Sequence, residues 1–267
     1  PIMEKLEAQF PEPSVRIPDA ALDFLSALIE EYADEWCNKH MFHYRWYYEP
    51  DAKSAALRIA QEVVPAGSPA RAAGQMAPSL EQRMVPRLSF VGSGRGNTAN
   101  AAFIERSFIR TAQILDAHLG ERAYLFGARP AMADFGIYGQ FKELLSDPTA
   151  GTWLRGNTPH LVAFVERMED PQALGDFEPM ANLMPGLSRL LRDEVAACFL
   201  PWSDANARAL AAGQATFSVH IDGVDFTQEV QKYHARSLAE IRRKYAVLRE
   251  DARLNLVLSD VGAQRWL

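Results

Sequence analysis

Five side chains within one twelve-residue stretch, Glu35, Lys39, Phe42, His43 and Trp46, bring together a carboxylate, an amine, an imidazole and two aromatic rings. Tyr32, Trp36, Tyr44, Tyr47 and Tyr48 surround them in the sequence. An apolar wall bearing a few polar groups is what a pocket for a hydrophobic small molecule needs, so these five are the candidate substrate-binding residues. The same residue types also make an ordinary core, with histidine at its edge and Glu35 paired to Lys39 four residues on. Composition alone leaves both readings open.

Other reactive groups are less persuasive. His40 and His43 form an H-x-x-H pair on one helical face, but no third ligand has a suitable spacing, so no metal site is expected. Cys37 falls on the polar side of its helix without a His or Asn partner to activate it. Cys198 sits near a helix end, where a small packed thiol is expected. The loop Gly92-Ser93-Gly94-Arg95-Gly96-Asn97-Thr98 enters a helix and could hold a weak anion, but it lacks the full dinucleotide pattern and no strand precedes it. Lys232, His234, Arg236, Arg242, Arg243, Lys244 and Arg249 make the last long helix basic. Glu240, Glu250 and Asp251 lie among them, which marks a solvated face rather than a nucleic-acid surface.

The elements that must position these groups are mostly helical. Pro18 and Pro50 bracket 31 residues without Gly or Pro, which predicts one long helix with Asp19 as its N-cap. On a helical wheel Leu22, Leu25, Ile29, Tyr32, Trp36, His43 and Tyr47 form one stripe, and Phe24, Leu28, Phe42 and Trp46 a second. Asp23, Glu30, Asp34, Asn38 and Arg45 lie opposite and are expected to face water. Further helices are predicted over 2–9, 54–64, 98–119, 131–146, 159–169, 186–198, 203–212, 229–249 and 251–261. Residues 65–96, rich in Pro, Gly, Ser and Ala, read as a loop with short helical turns. Phe217, Val219 and Ile221 alternate with polar residues ahead of Asp222-Gly223, which predicts a hairpin near 215–228.

The chain has 267 residues, 48% hydrophobic and 23% charged, with a formal charge of −6. That composition excludes a disordered chain. No apolar run approaches the roughly 18 residues of a membrane span, so no membrane partner is expected. The acidic balance argues against non-specific nucleic-acid binding. Two cysteines far apart exclude a disulfide framework and point to a reducing, cytoplasmic setting. The opening residues, Pro1 through Glu7, do not form a secretory signal.

One motif carries a family resemblance. Tyr124-Leu125-Phe126-Gly127-Ala128-Arg129-Pro130-Ala131-Met132-Ala133-Asp134-Phe135 resembles the capping-box turn that opens a buried helix in the C-terminal domain of the glutathione S-transferase superfamily. Asp134 at the third helical position would accept the N–H of the N-cap residue, and Pro130 would pack near Phe135. The N-cap position holds Ala131 where the family has Ser or Thr, a loss of about 1 kcal/mol. Residues 27–46 are similar to the family's long first bundle helix and 157–168 to its closing helix. Residues 1–7 resemble the end of its thioredoxin-like domain. Met84-Val85-Pro86 imitates that domain's Val-cis-Pro dipeptide but lacks the flanking strands.

The resemblance covers about residues 1–170 and implies an all-α fold. A glutathione S-transferase C-terminal-like helical bundle (1–170) would be followed by a mainly helical extension with one β-hairpin (171–267). It implies a transferase-like protein in which glutathione is a cosubstrate and no cofactor is tightly bound. A thioredoxin-like domain preceding this chain would ionise the thiol, so no catalytic residue is expected within it. The helical chain would supply the wall for a hydrophobic electrophile, through Glu35, Lys39, Phe42, His43 and Trp46, and a homodimer surface. Asp134 would be structural. The alternative is a non-catalytic binding or assembly module built on the same bundle.

Overall fold

The computed structural model describes residues 2–69, 71–94 and 96–267; Pro1, Ala70 and Arg95, the last in the glycine-rich loop, lie outside the described residues. The protein is mostly helical, with one two-stranded antiparallel hairpin. Helix α1 (Ile2–Gln9) leads through a proline-rich turn to α2 (Ala20–Tyr32). Helix α2 continues without a break through a π-helical turn (Ala33–Cys37) into α3 (Asn38–Tyr47). The long rod expected between the prolines is therefore present, widened in the middle. Asp19 caps it as its residue type requires, its carboxylate accepting from Ala21 N at 3.0 Å and Leu22 N at 3.3 Å.

The rod is buried almost all round. Of the five residues expected to face water only Asp34 is exposed; Asp23, Glu30, Asn38 and Arg45 are half-buried. A wheel sorts residues by polarity but cannot show how many neighbours a helix has, and this rod has several. Helix α7 (Met132–Ser146) packs on one side of it. Its approach is close because Gly136 has no side chain: a Cβ there would lie 3.2 Å from both Glu30 O and the Ala33 Cβ. Helices α6 (Thr98–Leu119), α8 (Pro148–Asn157) and α9 (Pro159–Arg167) complete this part of the bundle.

Two expected boundaries move. The segment 65–96 is not mainly loop. It holds α4's partner, α5 (Ala72–Met84), which packs on α4 (Glu49–Val63) despite Pro78 inside it, and then a 3-10 segment (Val85–Val91) that contains the Val85-Pro86 dipeptide. Proline removes one N–H and disturbs one turn, and contacts with α4 outweigh that cost here. The helices expected at 186–198 and 203–212 are one rod: α10 (Met180–Leu190), a π-helical segment (Leu191–Phe199) and α11 (Leu200–Ala211). The wide turns lie just before Pro201, whose ring would meet the carbonyl four residues back in a regular helix.

Strands β1 (Thr216–Ile221) and β2 (Val224–Glu229) pair from Thr216↔Glu229 to Ile221↔Val224. Asp222 and Gly223, at φ 48° and 77°, make the tight left-handed turn that their types favour. Phe217, Ile221 and Phe226 point inward, and α12 (Lys232–Val247) and α13 (Ala252–Asp260) close the chain. The apolar core is continuous from α2 to α13, with a smaller cluster around Trp46, Ala52, Leu88 and Val91. Residues beyond 170 join the bundle through backbone as well. Ala128 N donates to Asp176 O at 3.0 Å, and Glu178 N to Phe126 O at 2.9 Å. That pairing needs Gly127, at φ 129°, since a Cβ there would come within 2.9 Å of two backbone atoms.

The capping turn solves the loss at Ala131 by an unexpected route. Asp134 is fully buried and accepts from Ala131 N and Leu125 N, each at 2.8 Å. The donor left over is Ala133 N, and it bonds the hydroxyl of Ser26 on α2 at 3.1 Å. A neighbouring helix thus supplies the acceptor that the N-cap side chain lacks. We predict that Ser26→Ala lowers stability by about 1–2 kcal/mol in urea unfolding, and that Ala131→Ser in that background restores part of the loss. If Ser26→Ala has no effect, the cross-helix cap contributes nothing.

Candidate functional site

The sequence-derived candidates are held in three separate places. Glu35 and Lys39, one helical turn apart, both point toward the hairpin, α11 and α12. Lys39 Nζ donates to Gln228 Oε1 at 2.7 Å and lies 4.0 Å from the ring centre of Trp202, with Trp36 and Phe226 each at 5.7 Å. Trp202 Nε1 donates to the same Gln228 oxygen at 3.2 Å, and Gln228 Nε2 donates to Phe90 O at 2.6 Å. Glu35 contacts the ring of His234 on α12. Burial pushes the Lys39 amine well below the ordinary lysine value. The three aromatic faces favour a cation by about 0.5–2 kcal/mol each, less than the cost of removing the ammonium from water.

His43 is fully buried elsewhere on the rod. Its Nε2 donates to Glu105 Oε1 at 3.0 Å, and Tyr48 donates to the same carboxylate. Rings of Tyr44, Tyr47 and Tyr48 box it at 5.5, 4.5 and 6.1 Å. His43 also lowers the Glu105 pKa through that hydrogen bond. Phe42 and Trp46 pack together in the smaller apolar cluster. The structure thus brings Glu35 and Lys39 together and separates them from the other three. Phe42 is half-buried and the other four are buried. His40 and His43 turn to different partners, and among the described residues no group of three or more His, Cys, Asp or Glu side chains could hold a metal ion.

A fourth group, on the same rod, was not anticipated. Ser107 on α6 is a fully buried hub. Its Oγ lies 3.0 Å from Trp36 Nε1, 2.9 Å from His40 Nε2 and 2.6 Å from Glu194 Oε2. Glu194, in the second π-helical segment, also accepts from Arg110 Nε and from Tyr32 OH, and Tyr32 OH lies 2.7 Å from Thr111 Oγ1. Arg110 reaches on to Asp222 in the hairpin turn at 2.9 Å. Glu194 stands on an otherwise apolar stripe with Leu187, Leu190, Leu191 and Val195, and that lone carboxylate was the readable signal.

Proton counting assigns the hub. Indole N–H can only donate, and Ser107 has one proton, which goes to the Glu194 carboxylate while that group is ionised. The His40 Nε2 must therefore carry a hydrogen and donate to Ser107 as well, which leaves Nδ1 as a bare acceptor; that atom has no partner. Burial, with smaller contributions from His43, Arg110 and Lys39, holds the His40 pKa down to about 3, so the ring is neutral. Ser, His and Glu are all present, but the carboxylate binds the serine and not the imidazole, whereas in nucleophilic catalysis the carboxylate holds the imidazole. The arrangement fixes helices to one another.

The buried thiols are likewise inert: burial pushes Cys37 and Cys198 upward, away from the reactive thiolate. Ser93 in the glycine-rich loop has a buried hydroxyl without a partner among the described residues, and the loop borders a cavity lined by Gly92, Gly94, Asn97 and the open end of the hairpin. Glu229 also lines it, which disfavours an anion there.

No family model matches the chain, and neither a curated protein nor a solved structure matches it.

Burial raises the Glu194 carboxyl to about 7, against the pull of Arg110 and Ser107, from an ordinary value of 4.5. Between those values the native state keeps a proton that the unfolded chain has lost. Stability from this group therefore falls as pH rises through about 4.5 to 7 and stays low above. Glu194→Gln has no proton to lose. Chemical unfolding from pH 5 to 8 is expected to show the wild type losing stability relative to Glu194→Gln as pH rises. Parallel pH profiles, or the opposite trend, would contradict the assignment.

Proposed function

We propose that this chain is a glutathione S-transferase-like helical module whose part in a larger protein is binding and assembly rather than catalysis. The single observation behind this reading is that the polar groups of the aromatic rod are occupied by partners within the chain. Glu35 meets His234, Lys39 meets Gln228, His40 meets Ser107 and His43 meets Glu105. Such groups stiffen a scaffold and leave little for a ligand. Support for the family resemblance comes from Asp134, which clamps the turn before α7 as the motif requires, and from the long first helix that packs on α7.

A second reading keeps the transferase chemistry in the intact protein. There a thioredoxin-like domain would ionise glutathione, the thiolate sulfur would attack an electrophilic carbon, and the leaving group would depart with its electron pair. This chain would contribute the electrophile's wall and a homodimer surface. Phe42, half-buried at the edge of the smaller cluster, favours this version. Both versions place thiol activation outside this chain and expect a cytoplasmic setting. Among the described residues no helix is long and apolar enough to cross a membrane.

Titration calorimetry with glutathione and S-hexylglutathione tests the module reading, with light scattering to measure the oligomeric state. The expected result is a dimer that gives no saturable heat with either compound. Saturable heat with S-hexylglutathione but not with glutathione would overturn the module reading for the transferase one, and a micromolar Kd for glutathione itself would contradict both.

A further inference from the structure

The hairpin has two edges, and one of them is covered. Its two-residue turn makes Ile221 and Val224 a hydrogen-bonded pair, and such pairs alternate along an antiparallel ladder. The bond from Val230 N to Ala215 O at 3.0 Å fits that alternation. The N–H and C=O groups of Thr216, Ser218 and His220 therefore point away from β2, and those of Asp225, Thr227 and Glu229 away from β1. On the β2 side, α6 and the 3-10 segment pack along the edge, and Thr227 O accepts from Asn100 Nδ2 at 3.0 Å. On the β1 side, the outward main-chain groups of Thr216, Ser218 and His220 have no partner among the described residues.

Exposed edges in proteins are commonly blunted by a lysine, a proline or a bulge. Strand β1 has none of these, and Thr216, Phe217, Val219 and Ile221 are strand-forming types. A floor for a third strand lies beside it. Ala205, Ala209 and Ala212 share one face of α11, and with Phe217 and Ser218 they line an open groove of about 430 Å³. Their short side chains leave room for the inward side chains of an added strand. Arg208 also lines the groove, with its charge met by Asp204 at 2.7 Å.

The opposite face of the hairpin is acidic. Asp225 and Glu229 are exposed there, and no Lys or Arg stands among the outward residues of either strand. His220 meets Asp225 at 2.7 Å, while Glu229 has no side-chain partner among the described residues.

We propose that the free edge of β1 docks an extended peptide segment of a partner protein as a third strand. Its main chain pairs with Thr216, Ser218 and His220, its apolar side chains face the α11 groove, and its alternate side chains, basic ones, share the face of Asp225 and Glu229. A second copy of β1 fits less well. It would set two acidic faces side by side, and an edge of six residues, roughly 20 Å long, covers far less than the roughly 1,200 Å² of a stable protein interface. None of these edge and groove residues belongs to the polar network of the long rod. The inference therefore goes beyond the module reading and holds whether or not the chain binds glutathione.

The test is fluorescence anisotropy of the full chain with a labelled, amidated peptide, Lys-Val-Lys-Val-Lys-Val-Lys. It is expected to saturate one site per chain with a Kd below about 1 mM. The same peptide N-methylated throughout should bind at least about tenfold more weakly, as the loss of two or more main-chain hydrogen bonds implies. Proline is tolerated where a missing N–H faces outward from an edge strand, so Ser218→Pro should keep the fold and weaken binding by about tenfold. Ser218→Ala keeps the N–H and should bind within about twofold of wild type. Ala212→Trp, at an exposed position, fills the groove and should weaken binding by about fivefold or more, which keeps the test open if Ser218→Pro fails to fold. These variants leave the net charge unchanged, so non-specific attraction of a basic peptide stays constant; circular dichroism melts are the folding controls. No saturation at millimolar concentration, equal binding of the N-methylated peptide, or wild-type affinity in either folded variant overturns the proposal. So does a concentration-dependent dimer in sedimentation that Ser218→Pro abolishes, which would give the edge to a second copy.

Discussion

The hydroxyl of Ser107 is the most connected of the buried polar junctions between the two rods. It joins Trp36 and His40 of the long rod to Glu194 of the second rod, and Glu194 passes the connection to Arg110 and the hairpin turn. Trp36, His40, Ser107 and Glu194 are buried, where an unmatched polar group costs about 1–3 kcal/mol and a charge more, while the chain reaches the surface at Arg110 and Asp222. The helices cannot slide past one another without breaking several of these bonds at once. Apolar packing around Trp36, Phe103, Trp202 and Phe226 supplies bulk stabilisation without direction, and the hub supplies register.

This arrangement explains the two wide turns. Tyr32 and Trp36 flank and occupy the first, and Glu194 belongs to the second. A π-helical turn shifts the side chains that follow it relative to a regular helix, and such turns often occur where side chains must converge. In the second rod Pro201 gives a local reason as well. For the first rod nothing in its own residues demands the extra width; its partners lie across the core.

Much of the architecture was legible because it is local. Asp19 as a cap, the alternation of Phe217, Val219 and Ile221, and the Asp222-Gly223 turn each follow from short-range chemistry, and each forms. Helix α5 was hidden because Pro78 and Gly74 signal breaks that tertiary packing overrode. The water-facing stripe of the rod was misjudged because burial depends on how many elements surround a helix. The candidate site was legible only as a list of residue types. Glu35 and Lys39 stand one turn apart, yet the groups that occupy them, His234 and Gln228, come from nearly two hundred residues away. Ser26 capping another helix's Ala133 is the same kind of fact. Spacing along a chain carries no information about such partners.

The functional reading rests on who occupies the rod's polar groups, and His40 reports on that directly. Long-range nitrogen–proton NMR of the His40 ring, followed from pH 5 to 8, distinguishes its tautomers and its charge. The hub predicts a neutral ring throughout that range, with hydrogen on Nε2 at its upper end, where Glu194 is ionised. Hydrogen on Nδ1 at pH 8, or a ring that gains a proton near pH 6 to 7, would contradict it, because Ser107 could not then receive two donors while giving its own proton to an ionised Glu194.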